Sequence, residues 1–457
     1  MLDMTPKEIV ERQALRINPA KTCQPIGAMY AALGIHRCLP HSHGSQGCCS
    51  YHRSHLTRHY REPVVASTSS FTEGAAVFGG APNLRQSLKT IFQVYGPDVV
   101  SVHTTCLSET IGDDIPSMIK KARDDGLIPE NKWVIHANCP SYVGSHITGF
   151  STMTRAMVDY FSDNAEKAKG RINVVPGFVE PPDMAEIKRV VAEMGVESIV
   201  FPDTSDVLNT AMTGDYRMYP NGGVTVGSLM RTGSSQATLA LGAFASEAAA
   251  AMLETKCGVP FQLLDLPIGI SATDRLVQTV MDITGAEPSS GMVDDRGRLL
   301  DIITDMQHYL YNKKVALFGD PDQMIALTDF LASAGMKPLY VITGTPGKRF
   351  EERVRGILKD VVPGAVVKAA ADLFYLHQLI KNEPVDLLIG NTYGKYIARA
   401  ENIPFVRFGF PILDRVGHGY FPTLGYRGGM HLMSNIVNTL LERKDQDDPE
   451  ERFELVM

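Results

Sequence analysis

From Val99 onward, short apolar runs rich in β-branched residues alternate with stretches of helical periodicity, and this alternation constrains the fold more than any other feature of the chain. Strands separated by helices pair in parallel, and parallel sheets are covered by helices on their faces. The first clear strand reads Val99-Val100-Ser101-Val102-His103, after a helix whose apolar stripe is Leu84, Leu88, Ile91, Phe92 and Tyr95. A second, Trp133-Val134-Ile135-His136, precedes a helix with Met153, Ala156, Met157, Tyr160 and Phe161 on one face. A middle block runs from Ile172-Asn173-Val174-Val175 through a helix to Ser198-Ile199-Val200-Phe201, and a third has strands near 314–318, 338–343, 365–368, 386–390 and 404–408. At 457 residues the chain exceeds one hydrophobic core. The expectation is α/β: three Rossmann-like domains with mainly parallel sheets flanked by helices. They are placed at 21–168, 169–312 and 313–457, after an N-terminal segment 1–20, with a solvated acidic tail from Asp445 to Glu451.

Several function classes are excluded by what the chain lacks. A net charge of −7 with no basic stripe argues against nucleic acid as a partner. The N-terminus, Met1-Leu2-Asp3-Met4-Thr5-Pro6-Lys7-Glu8, has no apolar core of a secretory signal. Ala237 to Leu253, the longest candidate membrane segment, is interrupted by Ser246 and Glu247 and reads as a buried helix, so no membrane span is expected. No G-x-G-x-x-G follows a strand, and Gly344-Thr345-Pro346-Gly347-Lys348-Arg349 lacks the spacing of a phosphate-binding loop. Nucleotide energy, if used, is therefore spent by another protein. Seven cysteines without a secretory signal point to a reducing cytoplasm rather than a disulfide framework.

Three of those cysteines stand apart. Cys23 in Thr22-Cys23-Gln24-Pro25, Cys48 in Gly47-Cys48-Cys49 and Cys106 in Thr104-Thr105-Cys106 sit at loops or element ends, where a sulfur can be exposed, whereas Cys38 and Cys257 read as buried thiols. Cys106 and Ser141 follow just past the ends of two neighbouring strands, so both reach one crevice. Cys48 follows the Gly-rich stretch His43-Gly44-Ser45-Gln46-Gly47 and opens a helix running to about Tyr60, whose dipole favours thiolate. Together they look like ligands of an iron-sulfur cluster, but three thiolates are an incomplete set, so a non-cysteine ligand or a second chain completes it. His41 and His43 are read as structural, standing behind the ligands at most, and without C-x-x-C or paired-His spacing no closed zinc site is expected. Tyr51 lies on the helical face of Cys48. Asp113 and Asp114 are read as helix caps, and Asp301 and Asp305, four apart, can share a hard cation.

The runs Thr22-Cys23-Gln24-Pro25, His43-Gly44-Ser45-Gln46-Gly47-Cys48, Ser67 to Glu73, Thr104-Thr105-Cys106, Ile111-Gly112-Asp113-Asp114 and Pro140 to Ser145 resemble the β chains of nitrogenase molybdenum-iron proteins, with later landmarks at Phe318-Gly319-Asp320-Pro321 and Gly409-Phe410-Pro411. The resemblance implies that Cys23, Cys48 and Cys106 supply half of an 8Fe-7S P-cluster shared with an α chain, and that Ser141 binds an iron when the cluster is oxidised. It further implies that Tyr51 lies on the electron route towards an iron-molybdenum cofactor in the α chain and that Phe78 marks the docking surface for the ATP-hydrolysing iron protein. Arg61, Glu62, Asp301 and Asp305 match a cation site, calcium or iron, between two β chains, and the implied assembly is an α2β2 tetramer in the cytoplasm that reduces dinitrogen to ammonia. Cys139 stands where the family carries threonine and is read as a bystander, and the N-terminus is short compared with some members. The alternatives are a scaffold for assembling the cofactor and a subunit of a related nitrogenase-like reductase.

Overall fold

The structure, a computed structural model, describes residues 4–449 except 11, 13–15 and 19. Parts of the expected N-terminal segment and the end of the acidic tail therefore lie outside the described residues.

Thirteen strands form three sheets among the described residues, every pairing parallel. The first sheet contains β1 (Cys38–His43), β2 (Ser67–Thr68), β3 (Val99–Thr104) and β4 (Trp133–Ala137), in the order β2-β1-β3-β4. The second contains β5 (Ala168–Val175), β6 (Glu197–Val200), β7 (Ser235–Leu241) and β8 (Phe261–Leu264), in the order β6-β5-β7-β8. The third contains β9 (Lys314–Gly319), β10 (Lys337–Thr343), β11 (Val366–Lys368), β12 (Leu387–Gly390) and β13 (Phe405–Arg407), in the order β11-β10-β9-β12-β13. One continuous apolar core, from Ile26 to Leu440, draws on all three sheets.

Two elements escape a reading by hydrophobic pattern. β1 reads Cys38-Leu39-Pro40-His41-Ser42-His43 and looks like a loop, yet all six residues are buried. Its polar side chains are satisfied internally: His41 bonds Ser67 and Ser69 through its two ring nitrogens at 2.9 and 2.8 Å, and Ser42 bonds His103 at 2.6 Å. Such bonds offset the desolvation that otherwise keeps histidines out of a central strand. The expected buried helix from Ala237 to Leu253 is corrected: 237–241 belong to β7, paired with β5 and β8, and the helix Ala243–Cys257 starts only after Gly242, whose φ is 80°. The break has a partner. The Asp322 carboxylate accepts from the N–H groups of Phe244 and Ala245 at 3.1 and 3.0 Å, capping the new helix.

The described part of the N-terminal segment lies against the start of the helix Leu373–Asn382 of its own chain. Asp372 accepts Arg12 in two hydrogen bonds of 3.0 Å and the Ile17 N–H at 2.8 Å, while Gln378 donates to the Glu8 carbonyl at 2.6 Å. At the other end, the long helix Gly425–Asp447 is introduced by Thr423 and Leu424, whose N–H groups donate to the buried Asp183 at 2.6 and 3.0 Å. Residues 445–449 are exposed, as expected for the tail. Among the described residues no helix is long and apolar enough to cross a membrane.

The register of the first sheet sets up the site. His43 pairs with Thr104, and His103 with Ala137, so β1, β3 and β4 end along one carboxyl edge. Cys48, Cys106 and Ser141 all lie within a few residues of that edge. The helix Gln24–Leu33 runs back into β1, which puts its N-terminus, and Cys23, at the same edge.

Candidate metal centre

Each of the three cysteines stands at a helix start. Cys23 is the residue before the helix Gln24–Leu33, in extended conformation; Cys48 lies in the first turn of Gln46–Tyr60; Cys106 opens Cys106–Ile111. Helix N-termini carry partial positive charge and unpaired N–H groups, which favour thiolates. Of the seven cysteines only these three are partly exposed; Cys38, Cys49, Cys139 and Cys257 are buried.

The three thiols also feel one another. Burial raises the Cys23 thiol above its ordinary value, Cys106 raises it further, and Lys21 opposes them. Burial likewise raises Cys48, followed by the charges of Cys106 and Cys23 and a hydrogen bond with Cys106. Cys23 and Cys48 thus favour the thiol form by themselves, and a cationic metal group bound beside them reverses that preference. Among the described residues no three His, Cys, Asp or Glu side chains close tightly enough around one point to hold a single metal ion.

Burial pushes His41 and His59 down to about 3 and His52 and His55 down to about 4, so all four are neutral at physiological pH.

Behind the cysteines the backbone is tightly tied. Thr105 and Ser108, which cap the Cys106 helix, both donate to the His43 carbonyl, at 3.2 and 2.8 Å. Gly44 leaves no room for a side chain: a Cβ there would lie 1.9 Å from Thr105 Oγ1. The Cys23 turn is fixed to the loop after β4: Gln24 donates to the carbonyls of Pro140 and Val143 at 3.0 Å each, and Lys21 to Gly144 at 2.6 Å. Ser141 sits half-buried in that loop, beside the Cys23 turn.

The other expected residues fall as follows. Tyr51 is 53% exposed, one turn beyond Cys48, with its ring 5.5 Å from His55. Its hydroxyl is raised by burial and then by Tyr393 and Cys23. Cys139 is fully buried; its N–H donates to Thr104 at 2.6 Å, and burial drives its thiol far up, so it stays protonated. Phe78 ends the helix Glu73–Phe78 and is 89% exposed, next to Val77 at 72%. Asp301 and Asp305 lie exposed on the helix Ser290–Asp305, and Arg61 and Glu62 follow the Cys48 helix. Among the described residues these four form no metal-holding group within one chain.

One reading is corrected. Asp114 caps the helix Ile115–Asp124, accepting from the Ser117 N–H at 3.2 Å, but Asp113 does not cap. Its carboxylate turns inward to His43 Nε2 at 3.1 Å and accepts the Gly80 N–H at 3.1 Å. Sequence spacing carries no signal for a contact between residues seventy positions apart.

The model of the nitrogenase component 1 type oxidoreductases matches residues 23–441. The chain belongs to this family. It is 57% identical, over the full length of both chains, to the nitrogenase molybdenum-iron protein β chain of Clostridium pasteurianum. It is 39% identical to the corresponding chain of Nostoc sp., covering 95% of this chain and 86% of that one. A chain of the solved nitrogenase Cp1 at pH 6.5 superposes with a TM-score of 0.99 at 57% identity, each chain covered completely. A chain of nitrogenase Cp1 at pH 5 superposes with a TM-score of 0.72 at 18% identity, covering 97% of this chain and 93% of that one, and shares the fold alone. As a family member the chain is part of an oxidoreductase, and the relatives favour the nitrogenase reading over the assembly scaffold.

Proposed function

We propose that the chain is the β subunit of a nitrogenase molybdenum-iron protein, in which Cys23, Cys48 and Cys106 hold half of an 8Fe-7S P-cluster and a partner α chain supplies three further thiolates. The observation that carries this reading is the separation of the cysteines into two classes: three partly exposed at helix starts, four buried. When bound, the cluster supplies one-electron redox chemistry, passing electrons from the iron protein towards an iron-molybdenum cofactor in the α chain that reduces dinitrogen to ammonia.

The chain's own residues orient and shield that group. Thr105, Ser108 and His43 hold Cys48 and Cys106 at fixed separation, and Gln24 and Lys21 hold Cys23 against the Ser141 loop. The Ser141 hydroxyl offers a donor harder than sulfur, suited to a more oxidised iron. Tyr51 lies on the outward path from Cys48 and acts in the relay. Phe78 and Val77 form the apolar knob on which the iron protein docks. Arg61 through its carbonyl, and Glu62, join Asp301 and Asp305 of a second copy around a calcium or iron ion in an α2β2 tetramer of the cytoplasm.

In purified complex, Cys48→Ala and Cys106→Ala are expected to lose cluster iron and electron delivery, and unchanged iron and turnover overturn the assignment. Measuring molybdenum, vanadium and iron in the intact complex identifies the metal of the partner's cofactor.

A further inference from the structure

His43 and Asp113 are buried, their side chains 0% and 5% exposed, and they stand between the Phe78 face and the cysteine edge. On the outer side, Asp113 accepts the N–H of Gly80, two residues past Phe78. The join is close-packed. A Cβ on Gly80 would lie 2.1 Å from Phe71 Cζ and 2.7 Å from Asp113 Oδ2, and Gly79 adopts a φ of 91°. On the inner side, His43 Nε2 donates to Asp113, its Nδ1 bonds Ser69 at 2.8 Å, and its carbonyl accepts both hydroxyls that cap the Cys106 helix. A second limb runs alongside: the Phe71 ring packs edge-on against His43 at 4.8 Å, and the Phe71 N–H donates to the Gly44 carbonyl at 2.9 Å, four residues before Cys48.

We propose that Asp113 and His43 are positioning residues that transmit contact at the Phe78 face to the loop and helix start bearing Cys48 and Cys106. The proposal rests on the reading of Phe78 as the docking site of the iron protein. Both links are short and closed to side-chain rearrangement, so displacement of residues 78–80 is passed on to residues 43–49 and 104–108 rather than absorbed locally.

The test is hydrogen–deuterium exchange on the intact complex, with and without the iron protein. Docking is expected to slow exchange at 72–80 and also, by about fivefold or more, at 43–49 and 104–108, the lower end of coupling between distant sites. In Asp113→Ala the footprint at 72–80 persists while the remote protection falls, the Phe71 limb alone remaining, and Asp113→Asn, which keeps an acceptor for the Gly80 N–H, restores it. Undiminished remote protection in Asp113→Ala, or footprint without remote protection in the parent complex, overturns the proposal; the parent result stands even if Asp113→Ala fails to fold. No protection at 72–80 in the parent instead overturns the docking reading on which the proposal rests.

Discussion

Gly27→Ala tests how far the cysteine edge depends on a single backbone contact. The helices Gln24–Leu33 and His146–Phe161 cross through two glycines: a Cβ on Gly27 would lie 1.7 Å from the His146 carbonyl oxygen, and one on Gly149 1.9 Å from that of Gln24. Ordinary contact begins near 3.4 Å, so the added methyl drives the helices apart by well over an ångström. The obstacle is backbone on the far side, which cannot rotate away. Metal-ligand distances tolerate about 0.2 Å, so a shift of this size takes Cys23, four residues upstream, out of register with Cys48 and Cys106. Overpacking of this kind costs about 1–3 kcal/mol, which for a domain of this size lowers the melting temperature by roughly 3–10 °C. Iron per complex and the melting temperature are measured together, with Gly356→Ala as control, because a Cβ at Gly356 meets nothing within 4 Å. The control is expected to be neutral or slightly stabilising. Full iron content and unchanged melting in Gly27→Ala would refute the idea that this crossing positions Cys23.

Cys139→Ala is expected to keep the iron content of the parent and to lose about 1 kcal/mol of stability, as for a modest core truncation; loss of iron would show that Cys139 is a ligand. Asp322 is fully buried and pushed up by burial to about 7, above its unfolded value, so its contribution is complete below the unfolded carboxyl range and is lost as pH rises through about 7. Asp322→Asn is therefore expected to flatten the fall in stability between pH 5 and 7 by up to ~1.4 kcal/mol per pH unit, and parallel melting curves for parent and variant would contradict this. Phe78→Ala should weaken electron delivery from the iron protein while shifting stability by less than about 0.5 kcal/mol, since the ring is 89% exposed. Equal delivery at subsaturating iron protein would remove Phe78 from the docking face.

The strands of the third sheet are legible because Val315 to Phe318, Val341-Ile342 and Leu387 to Ile389 are apolar on both faces, as strands covered on both sides must be. The cysteine edge is legible for a different reason: glycine, proline and hydroxyl residues around Cys23, Cys48 and Cys106 mark element ends, where a thiol is not consumed by the core. β1 is hidden because its histidines and its one serine are paid for by partners distant in sequence, Ser67, Ser69 and His103. Asp113 misleads because an aspartate before a helix ordinarily caps it, and here its neighbour Asp114 takes that role. In β7, alanines allow either strand or helix, and only pairing with β5 and β8 decides.

The most direct test is anomalous scattering at the iron edge from crystals of the intact complex. The account expects iron within bonding distance of the Sγ atoms of Cys23, Cys48 and Cys106, in one group bridging to the partner chain. Iron-free sulfurs at these three positions, or separate irons on each, would contradict it.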